Sequence, residues 1–151
     1  MIKILMICHG NICRSPMAQY VMQYLVDTNG LHNNFEIDSA ATSREEIGNG
    51  IHYGTKAKLR EMNIPFTEHY ARQVTMKDYE YYDYLIVMDS NNLRNITRII
   101  PNDKDNKIHT LLSYTGSNRS IADPWYTGNF DETYNDVLQG CKALLEAILN
   151  K

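Results

Sequence analysis

The stretch Cys8-His9-Gly10-Asn11-Ile12-Cys13-Arg14-Ser15 limits what this chain can fold into more than any other. Ile2-Lys3-Ile4-Leu5-Met6-Ile7 runs into it, mostly apolar and short enough for a buried strand. Ser15-Pro16-Met17-Ala18 leads out of it and reads as a helix start, where Pro is tolerated in the first turn. The loop therefore joins a strand end to a helix N-terminus. Backbone N–H groups there have no intrahelical partners and point toward an anion. The same surroundings favour the thiolate form of a cysteine. A C-x5-R-S stretch in this place can bind a phosphate and attack it.

The rest of the chain alternates between strand and helix patterns. Met17, Tyr20, Val21, Tyr24 and Leu25 recur at helical spacing, and Asn29-Gly30 supplies a stop. Phe35–Ala40 reads as a second strand, and Ala41–Tyr53 as a polar loop. Thr55–Met62 reads as a helix ended by Asn63-Ile64-Pro65, while His69–Val74 is ambiguous. Thr75 and Asp78 have capping-box spacing and open a short helix. Tyr84–Met88 is a clear strand, and Asp89-Ser90 starts a helix carrying Leu93, Ile96, Ile99 and Ile100 up to Pro101. Ile108–Leu112 reads as a fourth strand, followed by a long polar loop with Asp123-Pro124-Trp125-Tyr126. A last helix places Val137, Cys141, Leu144, Leu145, Ile148 and Leu149 on one face. Such alternation predicts an α/β fold, with a doubly wound parallel sheet covered by helices on both faces. Ligands in such sheets bind beyond the carboxyl ends of the strands, at the topological switch point. If the first strand is central, Cys8 sits there, and the other strand ends bring Ala40–Gly50, Asp89 and the Asp123 loop to the same rim.

A length of 151 residues predicts a single domain over 1–151. The net charge of -3 argues against a general nucleic-acid binder, though not against a local positive pocket. No apolar run is long enough to span a membrane, and Met1-Ile2-Lys3 begins a strand rather than a signal peptide. Cys8, Cys13 and Cys141 fit neither a disulfide framework nor a zinc pattern, which points to a reducing, cytoplasmic setting. No metal cluster and no cofactor motif is visible, so activity is expected to survive a chelator.

Within the loop, Cys8 reads as a nucleophile rather than a small buried hydrophobe, given its place before Gly10 and Arg14. The planar fork of Arg14 suits two phosphate oxygens at once. Gly10 and Asn11 both tolerate left-handed backbone angles, which would turn successive N–H groups inward as an anion nest. Ser15 reads equally well as a helix cap and as a donor to the Cys8 thiolate. A covalent route also needs a group that protonates the leaving oxygen and later deprotonates water. Asp123, with apolar walls beside it, is the candidate, and a turn opener is its alternative. Asp38 and Asp89 are further acids near strand ends.

These residues resemble the low-molecular-weight protein tyrosine phosphatase family. The likeness covers nearly the whole chain, through CHGNICRSPMAQ, DSAATS at Asp38–Ser43, HYARQVTMKDYEYYDYLIVMD at His69–Asp89, SNNLR at Ser90–Arg94 and DPWYTG at Asp123–Gly128. It implies a four-stranded parallel sheet in the order 2-1-3-4. It implies that Cys8 is the nucleophile, Arg14 the phosphate clamp and Asp123 the general acid, then base. It implies a phosphate-binding loop of Cys8, His9, Gly10, Asn11, Ile12, Cys13 and Arg14, which inorganic phosphate or a related oxyanion would also occupy. Asn11 would hold the loop shape, Ser15 would support the thiolate, and His69 would bond to both. Cys13 would form a reversible disulfide with Cys8 under oxidation, so peroxide should inactivate and thiols restore. Cys141, on an apolar helix face, reads as core.

Substrates implied by the resemblance are phosphotyrosine proteins and small aryl phosphates, in a pocket formed by Ile12, Glu45, Glu46, Trp125 and Tyr126. Trp125 stands where the family usually has Tyr, and keeps an aromatic wall. Glu45 stands where an aromatic is common, so the Glu45-Glu46 rim is acidic and should favour basic flanking residues. Tyr126 remains open to phosphorylation. Arsenate reductases of the same fold need further cysteines, and there is none between Cys13 and Cys141. Protein-arginine phosphatases carry Thr at the position of Ile12, whose apolar side chain suits a phenyl ring better. A non-catalytic phosphotyrosine-binding module would be expected to have lost Cys8, Arg14 or Asp123.

Overall fold

The first apolar run forms the middle of the sheet. In the computed structural model, which describes residues 1–151, strand β1 spans Ile2–Cys8 and is paired on both sides. Beside it lie β2 (Phe35–Ala41) and β3 (Tyr84–Val87), and β4 (Ile108–Thr110) pairs with β3. All pairings are parallel and the order is β2-β1-β3-β4. The order runs one way from β1 to β2 and the other way to β3, so the switch point lies at the carboxyl end of β1.

Period-two alternation along β1 serves two cores. Ile4, Met6 and Cys8 face the larger one, built with Met17, Val21 and Met22 of α1 (Arg14–Thr28) and with Val137, Cys141, Leu144 and Ile148 of α6 (Phe130–Leu149). Leu5 and Ile7 face the smaller one, with Tyr79 of α3 (Met76–Tyr81) and Ile96 of α4 (Ser90–Ile96). With helices on both faces, β1 reads as a continuous apolar run. Cys141 is fully buried, and that burial raises its thiol pKa. Gly140 admits the opposite wall: a Cβ there would stand 2.5 Å from Cγ of Leu111, itself fully buried.

Several local readings are corrected. The helix expected to run to Ile100 ends at Ile96, followed by turns at Thr97–Ile99. Pro101 biases residue 100 away from helical angles, yet Ile96 and Ile100 are both buried because the Ile100 N–H still bonds to the Ile96 carbonyl. Leu93 and Leu149 are exposed rather than on buried faces. The fourth strand stops at Thr110, where the chain turns into a 3-10 helix, Leu111–Thr115, that buries Leu111 and Leu112. Helix α2 spans Tyr53–Glu61 and starts two residues before the expected Thr55, because His52 Nδ1 accepts from the Gly54 N–H and caps it. The ambiguous His69–Val74 is extended and bridges the end of β2, with Ala41 and Gln73 paired. Thr75 and Asp78 form the expected capping box at α3.

Candidate active site

The loop between β1 and α1 is shaped by where its carbonyls go. Those of Cys8 and His9 accept from Thr42 and Ser43 N–H, at 2.9 and 3.1 Å, and that of Ile12 from His52 N–H at 2.9 Å. The Cys13 carbonyl accepts from Thr55 Oγ1. With the carbonyls held from outside, the Asn11 N–H turns inward onto Cys8 Sγ, as an anion nest requires. Asn11 has φ of 62°, the left-handed angle the loop needs. Gly10 does not adopt such an angle, contrary to expectation. Its lack of a Cβ instead leaves room for Glu46, whose Cγ would stand 3.2 Å from one.

A chain of donors ends on the Cys8 sulfur. Ser39 Oγ donates to Gln19 Oε1, so it accepts from His69 Nε2 at 3.1 Å. His69 Nε2 therefore carries the proton, and it also donates to Asn11 Oδ1 at 2.8 Å as expected, but the expected bond to Ser15 is replaced by the one to Ser39. That fixes the amide: Asn11 Nδ2 donates to Ser15 Oγ at 2.8 Å. Ser15 Oγ lies 3.0 Å from Cys8 Sγ, closer than the Ala40 carbonyl at 3.4 Å that could also take its proton, while the Asn11 N–H adds a second bond to the sulfur at 3.3 Å. Both donors favour negative charge on sulfur. The cap reading of Ser15 is overturned. Helix α1 starts at Arg14 with Cys13 in the cap position and no side-chain cap.

His69 is neutral here. Burial lowers its pKa below the ordinary imidazole range, Asp38 opposes this and Arg72 adds to it. The unfolded chain thus binds this proton more readily than the folded one, so the stability from neutral His69 is present above the ordinary imidazole value and is lost as pH falls. Wild-type Tm should drop between about pH 7 and 5, and His69→Gln, which keeps a donor to Asn11 but cannot titrate, should drop less. Equal slopes for the two proteins would refute the assignment.

Arg14 is 2% exposed and held from the far side. Its Nη1 donates to Asp89 Oδ2 at 2.6 Å and to the Ile121 carbonyl at 2.9 Å, and its Nη2 to Asp123 Oδ2 at 3.4 Å. Burial works against its charge, but Cys8, Asp89 and Asp123 outweigh it and raise its pKa. Asp89 stands two residues beyond the end of β3 and also caps α4 through the Asn92 N–H. Breaking a buried pair of this kind typically costs about 3–5 kcal/mol. Sequence reading noted Asp89 only as an acid near a strand end; its position beyond a strand flanking β1 was the available signal. Asp38 does not reach the site, and lies inside β2 beside His69 and Arg72.

Asp123 opens a turn, as its alternative reading expects. Oδ1 accepts from the Trp125 N–H and caps a short helix, α5 (Pro124–Thr127), while Oδ2 faces Arg14. One pocket of about 130 Å³ is lined by Cys8, Cys13 and Arg14, with Gly10, Ile12, Asp123, Trp125 and Tyr126. His9, Glu45 and Glu46 also line it, with His9 Nε2 2.6 Å from Glu45 Oε2 and Glu46 accepting from Asn49. Cys13 stays a neutral thiol: burial, then Cys8 and Asp123, push its pKa up to about 12.

Residues 3–151 match the family model described as low molecular weight phosphotyrosine protein phosphatase. The low molecular weight protein-tyrosine-phosphatase YfkJ of Bacillus subtilis is 38% identical over 98% of this chain and 96% of its own. The human low molecular weight phosphotyrosine protein phosphatase is also 38% identical, over 95% of this chain and 94% of its own. The crystal structure of YfkJ superimposes with a TM-score of 0.95 over 99% of this chain and 96% of that one.

Proposed function

The chain belongs to the low molecular weight phosphotyrosine protein phosphatase family, and from that premise we propose how its residues divide the work. The protein is a protein tyrosine phosphatase. The phosphoryl dianion of phosphotyrosine sits in the loop, against its N–H groups and the Arg14 fork. The Cys8 thiolate attacks phosphorus, an S–P bond forms and the P–O bond to tyrosine breaks. Asp123, protonated, gives its proton to the departing oxygen. Water then attacks phosphorus, its proton goes to the Asp123 carboxylate, and the S–P bond breaks to release phosphate. Ser15 steadies the sulfur as it leaves. The observation that carries this reading is one pocket that holds Cys8, Arg14 and Asp123 together. Acid-quenched turnover of radiolabelled substrate should leave label on the Cys8 peptide; turnover with no labelled enzyme would overturn the scheme.

Ile12 and Trp125 supply the apolar walls for a phenyl ring, which favours phosphotyrosine over phosphoarginine. Glu45 is 70% exposed at the rim, with one oxygen still open beyond its contact to His9. Exposed pairs contribute ~0.2–1 kcal/mol, so phosphopeptides with Lys or Arg flanks should show kcat/KM about 1.4- to fivefold above acidic-flank peptides. Glu45→Gln should shrink that ratio, and a preference for acidic flanks would refute it.

Oxidation would act on the same sulfur. Peroxide reacts with thiolates, so it meets Cys8 before the neutral Cys13. The Cys8 thiolate becomes a sulfenic acid as one peroxide oxygen transfers to it and hydroxide leaves. That step also removes the negative charge that raises the Cys13 pKa. The Cys13 sulfur then bonds to Cys8 with loss of water, and external dithiol reverses it. Wild type should recover after peroxide and thiol, whereas Cys13→Ser should recover far less as Cys8 oxidises further. Equal recovery would exclude a protective disulfide. A cytoplasmic setting suits this chemistry, since Cys8 must be a free thiol; no helix is long and apolar enough to cross a membrane.

A further inference from the structure

His52 ties the half of the site that holds the nucleophile to the half that holds the acid. Its backbone N–H donates to the Ile12 carbonyl in the phosphate-binding loop. Its ring stacks on Tyr53, with centroids 4.4 Å apart and planes at 27°, and on Phe130, 5.4 Å apart and at 20°. The edge of Trp125 meets the same ring at 5.7 Å and 76°. Trp125 is two residues beyond Asp123, and Phe130 begins α6 on the far side of α5. The one imidazole therefore touches the acid segment at both ends.

Its orientation is fixed by the acceptor role of Nδ1 toward the Gly54 N–H at 3.0 Å. Gly54 is needed there, since a Cβ would collide with the Phe130 ring. Burial lowers the His52 pKa against the opposing pull of Asp123 and Glu46, which keeps Nδ1 free to accept. Edge-to-face and stacked ring pairs contribute through geometry as well as area. The Asp123 carboxylate is held by its cap to the Trp125 N–H and the long contact to Arg14, while its carbonyl accepts from Tyr126 and Thr127 N–H in the same short helix. Its reach toward a leaving oxygen thus depends on where Trp125 rests.

We infer that His52 is a positioning residue for general-acid catalysis, acting as an aromatic seat that holds Trp125, and through it Asp123, over the phosphate-binding loop. This rests on the assignment of Asp123 as the acid. Two substitutions separate the seat from the helix cap. His52→Asn keeps an oxygen that caps α2 but removes the ring. His52→Phe keeps a ring but removes the acceptor.

The measurement compares phenyl phosphate, whose poor leaving group needs protonation, with p-nitrophenyl phosphate, whose leaving group does not. His52→Asn should lower kcat/KM, which reports the first step, by about 10- to 100-fold on phenyl phosphate, as a displacement near 1 Å does, and by much less on p-nitrophenyl phosphate. His52→Phe should keep the wild-type ratio of the two rates, although its melting temperature falls. Trp125 is the only tryptophan, so its emission should shift to the red in the Asn variant and stay in place in the Phe variant. Equal losses on both substrates, no loss on phenyl phosphate in His52→Asn, or a changed rate ratio in His52→Phe would each overturn the inference. Asp123→Ala measured alongside separates the two assignments: if it shows no difference between the substrates, the acid assignment fails instead.

Discussion

Cys8→Ser is expected to lower turnover of phosphotyrosine peptides and of aryl phosphates alike by about 10⁴-fold or more, while leaving phosphate binding in place. The reason lies in charge. The Asn11 N–H and the Ser15 hydroxyl converge on an atom that must carry a full negative charge before attack. A thiol can lose its proton there, but a serine hydroxyl, with its far higher pKa and no base beside it, cannot. His69 is no rescue, because its proton is committed to Asn11 and Ser39. The fold should be undisturbed, since Ser is slightly smaller and keeps a polar atom for Ser15 to bond. A Cys8→Ser protein that binds phosphate by calorimetry but turns over nothing supports the role, and one with near-normal rates ends it.

Asp123→Ala should separate substrates by their leaving groups. On phosphotyrosine peptide, the rate should fall by about 10²–10⁴-fold, the usual worth of a positioned general acid. On p-nitrophenyl phosphate the first step needs no proton, so the loss in kcat/KM, which reports that step, should be much smaller there. The two substrates also bring different steps to the surface. Once the leaving group is good, breakdown of the cysteinyl phosphate limits the rate, and there Asp123 acts as base toward water. Phosphoenzyme should therefore accumulate in Asp123→Ala with the nitrophenyl ester and not with the peptide. A uniform fall on both substrates would point to a purely structural role, in which Asp123 only caps α5.

The parts of this molecule that were legible in the sequence are those that local chemistry dictates. The Ile2–Ile7 run, the loop that follows it, the Thr75–Asp78 box and the core face of α6 all depend on spacing within one element. The order 2-1-3-4 and the role of His69 came through resemblance rather than from periodicity, because both depend on which distant segments meet. Asp89 shows the limit well. Its sequence neighbours mark it as a helix cap, and it is one, yet its other oxygen holds Arg14 from 75 residues away. Gly10 shows a different limit: a glycine in a loop suggests an unusual backbone angle, but here it yields space to Glu46. His52 escaped because histidine is not a usual cap, and ring stacking leaves no periodic trace.

The short helix Pro124–Thr127 carries a last consequence. Pro124 is buried, but Trp125, Tyr126 and Thr127 are exposed, and neither core cluster includes a residue of this helix. The nucleophile sits at the end of the central strand, in the larger core, so few changes there would be tolerated. The residues that face the substrate's ring stand outside that constraint. In an evolving lineage, recognition at Tyr126 can drift from protein to protein while the reaction beneath it stays the same, whereas Trp125 is tied to the acid through its seat on His52.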